Sequence, residues 1–326
     1  MRHRPVRIMA MAVPVVGVVG VLLGTSGAAL PIAATRTPAP TLSPEVGSGV
    51  LFDDFNYAGP DDPVFEDHGW NVRTGTGWPG VSGATWAAEN VTFLDDPDTS
   101  GNRLMQMESS TDGTANGTWQ TEINQQRKFY EGTYASRVRF TDNPISGPDG
   151  DQVVETFFTI SPLDRDLDRN YSELDYEYLP NGGWGRRGST FFFTTWETYR
   201  PEPRWLADNT SSALERSYEG WHTLVLQVAD GKVTYYIDGD PVAHHGGKYY
   251  PEVPMSINYN LWFVQDGQLS SSEPRHYIEQ IDWLYYAGRE VLSPDAVDAQ
   301  VARYRADAIH FEDTVPAWTP PEAAGS

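Results

Sequence analysis

Three acidic residues alternate with apolar ones in the segment 171–179, which reads YSELDYEYL. Because side chains alternate across an extended strand, Glu173, Asp175 and Glu177 share one face while Leu174 points to the other. Like charges at neighbouring positions repel each other and raise their pKa values. The pattern predicts acid–base catalysis or a calcium site, since hard cations bind clustered carboxylates. A strand that merely faces water is the third interpretation.

The spacing of the two glutamates decides what catalysis they could perform. The Cα atoms of Glu173 and Glu177 are roughly 13 Å apart on an extended strand, and side chains that lean together over Asp175 close much of that gap. Retaining glycosidases need carboxyl groups about 5 to 5.5 Å apart, and inverting ones about 6.5 to 9.5 Å. The shorter separation is attainable. One glutamate would then be the ionised nucleophile and the other a protonated acid, with coupled titrations.

The elements that must position these acids are strands. From Leu51 to about Val291, short runs rich in aromatic and β-branched residues alternate with Gly, Pro, Asn and Asp clusters. No long segment between them keeps a helical period, so an all-β, antiparallel β-sandwich or jelly roll is expected. The clearest predicted strands are 132–140, 153–160, 171–179, 189–196, 222–228, 233–237, 255–264 and 278–286.

A short helix is predicted after the last strand. Ser293 can cap it with Pro294 at its first position. Apolar residues then recur at helical spacing, namely Val297, Val301, Tyr304 and Ala308. The segment 293–326 is therefore interpreted as a C-terminal helix and tail outside a domain of residues 50–292.

The N-terminus predicts export. Arginines at positions 2, 4 and 7 precede an uncharged run over 8–23, and small residues follow over 24–34. This is the order of a secretory signal, with cleavage after Ala28 or Ala34. An uncleaved anchor is the alternative, because 8–34 is long enough to span a bilayer. We expect a signal peptide over 1–34, a Pro-rich linker over 35–49 and a secreted, extracellular protein.

Composition excludes several function classes. The 326 residues include no cysteine, which excludes disulfides, thiolate metal sites and thiol catalysis. A net charge of −22 disfavours nucleic acid and anionic membranes as partners. No G-x-S-x-G or H-E-x-x-H motif is present, and His244 and His245 are adjacent, so a serine triad and a zinc hydrolase are disfavoured. The 11 Trp and 17 Tyr residues permit sugar stacking, and a monomer is expected.

The ELDYE sequence at 173–177 resembles the E-[LIV]-D-x-E signature of glycoside hydrolase family 16, in the form found in lichenase-type β-glucanases. Other segments resemble family segments in the same order, over about 240 residues. They are LFDDF at 51–55 and the segments 121–140, 153–160, 221–239, 258–263 and 281–285. The resemblance implies a concanavalin-like β-jelly roll with a carbohydrate cleft on its concave face.

The resemblance also implies residue roles. Glu173 falls on the nucleophile, Asp175 on the assisting carboxyl and Glu177 on the general acid/base. The implied substrate-binding residues are Tyr171, Trp119, Glu122, Asn260 and Trp262. Asn260 and Trp262 share a strand face, which suits a hydrogen bond plus stacking against a sugar. No cofactor is required by the resemblance, but a structural calcium is implied as possible, with Asp282 a candidate ligand.

The predicted function is a secreted retaining endo-glycosidase acting on a β-linked polysaccharide, with a β-glucan as the first candidate. A transglycosylase uses the same carboxylates and is an alternative, as is a lectin-like binding jelly roll. Tyr171 stands where lichenase-type enzymes have Trp, Leu224 where the family has Tyr, and Val228 where it often has Trp. These departures leave the carboxylates intact and the substrate open.

Overall fold

The computed structural model describes residues 45–319, so the predicted signal peptide and linker residues 35–44 lie outside the described part of the chain. Two α-helices, Pro63–Asp67 (α1) and Pro294–Ala306 (α2), and two 3-10 turns, Ala88–Asn90 and Gly247–Tyr249, accompany the strands. The strands are β1 Gly49–Asp53, β2 Trp70–Val72, β3 Gly75–Thr76, β4 Thr85–Trp86, β5 Val91–Asp95, β6 Arg103–Thr111, β7 Trp119–Gln125, β8 Gly132–Phe140, β9 Val153–Ile160, β10 Glu173–Leu179, β11 Thr190–Arg200, β12 Leu206–Glu215, β13 Gly220–Ala229, β14 Lys232–Ile237, β15 Asp240–Gly246, β16 Ser256–Phe263, β17 Arg275–Gly288 and β18 Phe311–Asp313.

The strands form two packed layers. The front sheet has the antiparallel order β2–β7–β16–β9–β10–β11–β12. In the back sheet β17 pairs with β8, and β8 continues through β13 and β14 to β15. The other edge of β17 pairs with β6 and with β1. The predicted all-β antiparallel sandwich with a short C-terminal helix is confirmed.

The core between the sheets is rich in aromatic residues. On β10, the side chains that alternate with the acids, Leu174, Tyr176 and Tyr178, are fully buried. The hydroxyl of Tyr176 donates to the carbonyl of Val225 on the back sheet at 2.7 Å. Burial of an aromatic or aliphatic side chain contributes about 1.5 to 3 kcal/mol to the free energy of unfolding. This packing fixes which face of β10 carries its acids.

Strand boundaries follow the local sequence closely where side chains pack on both faces. The predicted strands 132–140 and 153–160 occur with those bounds. The strand predicted over 171–179 begins at Glu173, because the N–H of Tyr171 bonds the carbonyl of Asp168 in a turn. Strand β12, LADNTSSALE, was not predicted, since it is a polar edge strand without a buried face.

The C-terminal helix packs on the back sheet. The Ser293 hydroxyl accepts a hydrogen bond from the N–H of Ala296, as predicted for its N-cap. Val297 and Val301 are buried in a cluster with Phe52 and Trp283. Ala308 lies beyond the end of the helix rather than on its buried face. In residues 45–319 neither helix has the length and apolar character needed to cross a membrane.

Candidate active site

The outer face of the front sheet, here called the site face, carries the three acids. Glu173, Asp175 and Glu177 alternate along β10, which lies between β9 and β11 in the middle of the sheet. Glu173 and Glu177 are partly buried, whereas Asp175 is only 3% exposed. The alternation predicted from the sequence therefore places all three carboxyl groups side by side on one face.

The hydrogen bonds that reach these carboxyl groups differ. The hydroxyl of Tyr171 donates to Oε2 of Glu173. The indole N–H of Trp196, which is opposite Glu173 in the register with β11, donates to Oδ2 of Asp175 at 2.8 Å. No donor within residues 45–319 forms such a hydrogen bond to Glu177. Hydrogen bonds to a carboxylate favour its ionised form, so Glu173 is better suited than Glu177 to remain an anion.

Burial raises the pKa of every carboxyl group in the set. The pKa of Glu173 rises to about 7, because burial outweighs the Tyr171 hydrogen bond and the charge of Glu122 adds to the rise. The pKa of Glu177 rises to about 8 through burial and the charge of Glu173. Burial and both neighbouring charges raise the pKa of Asp175 well above its usual range. The raised and mutually dependent pKa values favour sharing of protons within the set, which is the property that a paired acid and nucleophile need.

Two predicted substrate-binding residues lie in one row with the acids. Asn260 on β16 pairs with Glu122 on β7 and with Thr156 on β9, which in turn pairs with Glu177. The Asn260 side chain is 5% exposed, and its Oδ1 accepts a hydrogen bond from the Thr156 hydroxyl at 2.7 Å. Glu122 forms an ion pair with Arg73 at 2.8 Å. Polar groups therefore extend from Glu177 across the site face.

The three predicted aromatic residues have different surroundings. Trp262 shares the site face with Asn260, and its ring is 6.4 Å from that of Trp184. Tyr171 is 2% exposed and bonded to Glu173, so its hydroxyl acts on a carboxylate. Trp119 is 38% exposed on β7, three residues before Glu122, and alternation places it on the opposite face of that strand.

Several site-face residues were not identified from the sequence. Trp196, on the strand that follows β10, could have been found by extending the antiparallel register from Glu173. Trp184 packs edge-on against Phe192 at 5.1 Å from an irregular loop. Trp78 and Trp205 also lie in connections between strands, where no periodicity indicates which face a side chain joins.

Asp282 does not fit the calcium site that the resemblance implied. Its Oδ2 accepts a hydrogen bond from Arg137 at 2.7 Å, and its Oδ1 accepts from Asn102 at 2.8 Å and from Arg305 at 2.5 Å. Two guanidinium groups neutralise this carboxylate and would repel a divalent cation. In the described part of the chain no group of three or more His, Cys, Asp or Glu side chains could hold a metal ion.

Solved structures share this fold. A β-glucanase of Bacillus licheniformis matches with a TM-score of 0.51 and 18% identity, over 74% of this chain and 99% of its own. A family 16 endo-glucanase from Bacteroides ovatus, in complex with G4G3G-2F-DNP, matches with a TM-score of 0.53 and 16% identity, over 72% and 98%. A lichenase from a mouse hindgut metagenome matches with a TM-score of 0.50 and 18% identity, over 73% and 99%.

No family model and no curated protein sequence matches the chain. At identities of 16 and 18%, the structural matches establish a shared architecture. The chain thus has the β-jelly-roll fold of the family 16 glycoside hydrolase structures, and the resemblance seen in the sequence is confirmed at the level of fold.

Proposed function

We propose that this protein is a secreted, retaining endo-glycosidase that hydrolyses a β-linked polysaccharide, with a β-glucan as the substrate. The observation that carries the proposal is the unequal environment of the two glutamates on one strand. Glu173 receives the Tyr171 hydrogen bond, whereas Glu177 is buried beside the charge of Glu173. One group is therefore suited to be the anion and the other the acid.

In the first step, the carboxylate of Glu173 attacks the anomeric carbon of the bound sugar. A bond forms between that carbon and a Glu173 oxygen while the bond to the glycosidic oxygen breaks. Glu177 transfers its proton to the departing oxygen, so the leaving sugar is released as a neutral alcohol. The products of this step are a glycosyl ester on Glu173 and an ionised Glu177.

In the second step, Glu177 acts as the base. It takes a proton from a water molecule, whose oxygen attacks the anomeric carbon as the bond to Glu173 breaks. The two inversions give net retention of configuration. Because Glu173 carries no charge while it is an ester, it no longer raises the pKa of Glu177, and the lower pKa keeps Glu177 ionised and available as the base.

Neighbouring groups support these roles. Trp196 holds Asp175 through an indole hydrogen bond, which fixes the carboxyl group between the two glutamates. Asn260 and Trp262 present an amide and an indole on the same face, suited to a sugar hydroxyl and a sugar ring. The fold neighbours are described as a β-glucanase, a lichenase and an endo-glucanase, which supports a β-glucan as the first substrate to test.

The test is hydrolysis of a panel of polysaccharides: β-1,3-glucan, β-1,3-1,4-glucan, galactan and marine glycans. We expect reducing ends to appear from a β-glucan, with oligosaccharides of several lengths early in the reaction. The Glu173→Gln variant serves as the control for contaminating activity. If no member of the panel is hydrolysed faster by wild type than by this variant, the proposal is wrong.

A further inference from the structure

Aromatic rings from two separate parts of the chain meet beside Glu173. Trp78 lies in the connection between β3 and β4, while Tyr199 and Trp205 belong to the β11–β12 hairpin. The Trp78 ring centroid is 5.9 Å from that of Tyr199 and 6.1 Å from that of Trp205. Tyr199 and Trp205 are stacked at 5.4 Å. We call these three residues the aromatic bridge.

The bridge joins opposite sides of the front sheet. The chain around Trp78 is attached at β7, because β2 and β4 both pair with that strand. The hairpin is attached at β11, and β16, β9 and β10 lie between. Four strand spacings correspond to about 19 Å. Because the back sheet covers the inner face of the front sheet, the contact between Trp78 and the hairpin has to cross the site face.

Hydrogen bonds hold the backbone on the Trp78 side of the bridge, while Trp78 itself is 66% exposed. The Arg73 guanidinium forms an ion pair with Glu122 on the site face and donates to the carbonyl of Trp78 at 2.7 Å. Trp86 donates to the carbonyl of Gly77 at 2.9 Å. These bonds hold the connection above Glu122 rather than leaving it free to extend into solvent.

The hairpin side of the bridge is attached to the catalytic carboxyl groups. Tyr199 packs edge-on against Tyr171 at 5.2 Å, and Tyr171 is bonded to Glu173. Trp205 is 6.4 Å from Trp196, which is bonded to Asp175. Burial raises the pKa of the Tyr199 hydroxyl, and the charge of Glu173 adds a smaller rise, which agrees with the short distance between Tyr199 and Glu173. The bridge therefore lies at the Glu173 end of the three carboxyl groups on β10.

We propose that the aromatic bridge roofs the site face beside Glu173 and restricts the substrate to unbranched stretches of polysaccharide. This inference rests on the proposed function. A sugar bound over β9 and β16 at this end of the sheet would lie beneath the bridge, so a side branch on that sugar would collide with the aromatic rings. Aromatic rings suit this position because they bind the apolar faces of an unsubstituted pyranose.

The test compares two β-glucans with the same backbone linkage, one linear and one bearing single-sugar branches. We expect wild type to favour the linear polymer in kcat/KM by about tenfold or more, the size of effect that a steric clash in a binding site gives. Trp78→Ala should reduce this preference by raising the rate on the branched polymer. Trp221→Ala, which removes a tryptophan stacked on Arg137 in the back sheet, is the matched control and should keep the preference. Equal wild-type rates, or a preference unchanged in Trp78→Ala, would overturn the proposal.

A second measurement tests the bridge without using activity. Because the chain has no cysteine, the variant Trp78→Cys/Trp205→Cys contains the only two thiols. A short bis-maleimide, which adds one cysteine thiol to each of its two ends, should join them within one molecule, and neither single variant should form this product. Failure to crosslink overturns the bridge even if the enzyme hydrolyses glucans. Crosslinking in a protein that hydrolyses no glycan would instead overturn the proposed function, and with it the selectivity against branches.

Discussion

Two of the groups of buried carboxyl side chains with raised pKa values in this molecule differ in whether they can reach a substrate. Glu173, Asp175 and Glu177 lie on the site face. Glu155 on β9 and Glu279 on β17 lie between the sheets and are fully buried. Burial raises the pKa of both interior glutamates well above the usual range, and the charge of Glu155 adds to the rise at Glu279.

The contrast lies in access and in hydrogen bonding. Glu155 accepts hydrogen bonds from the N–H and the hydroxyl of Thr141, and neither Glu155 nor Glu279 has exposed surface. On the site face, Tyr171 stabilises one anion while its neighbour Glu177 retains a partly exposed carboxyl group. A raised pKa therefore reports burial in both places. A catalytic role additionally requires contact with substrate and unequal stabilisation of two partners.

The largest expected difference between the groups is in activity. Glu173→Gln and Glu177→Gln should each lower kcat on a natural polysaccharide by about 10³-fold or more. The first variant lacks the nucleophile, and the second lacks the proton donor. Their midpoints of thermal unfolding should stay near that of wild type, because the change is isosteric. Glu279→Gln is the matched control and should keep kcat within about twofold. Retention of more than a few per cent of activity by either site-face variant would contradict the account.

The pH dependence of activity should depend on the site-face group alone. Activity should fall at high pH as Glu177, whose pKa is raised to about 8, loses its proton. It should fall at low pH as Glu173, with a pKa raised to about 7, becomes protonated. On an activated aryl glycoside that needs no protonation, Glu177→Gln should lack the alkaline limb. If that limb persists in the variant, another group donates the proton.

The interior glutamates should affect the stability of the fold rather than the activity. Because the pKa of Glu279 is raised in the fold, the native state holds this proton more tightly than the unfolded chain does. The stabilisation is complete below the pKa of an unfolded glutamate, about 4.5, and is lost as pH rises toward the folded value. Glu279→Gln should therefore unfold a few degrees above wild type at pH 8 and match it near pH 4. Equal unfolding midpoints at pH 8 would show that Glu279 carries no such cost.

The smallest effect should come from metal removal. Asp282 is neutralised by Arg137 and Arg305, so we expect a chelator to leave the midpoint of thermal unfolding unchanged. Arg305→Ala should lower the midpoint, because it leaves a buried carboxylate with one fewer partner. A midpoint that falls on chelation and recovers with added calcium would contradict this assignment.

The sequence was sufficient to predict the acids on the site face, but it gave little indication of the aromatic bridge above them. Acids alternate with apolar residues on β10, so its two faces could be predicted, and the runs rich in aromatic and β-branched residues on β8 and β9 predicted strands there. The aromatic bridge and the pairing of Asp282 with Arg305 could not be predicted. Each joins residues far apart in the chain through loops or a helix end, and only tertiary packing brings them together.

Azide rescue of the two alanine variants tests the central claim most directly. In Glu173→Ala, azide should enter the cavity left by the nucleophile and give a glycosyl azide of inverted configuration. In Glu177→Ala, azide should attack the glycosyl ester on Glu173 and give the retained product, best with substrates that have good leaving groups. Product stereochemistry measured by nuclear magnetic resonance distinguishes the two. Inverted product from Glu173→Ala and retained product from Glu177→Ala are the predicted results, and the reverse pairing would contradict the assigned roles.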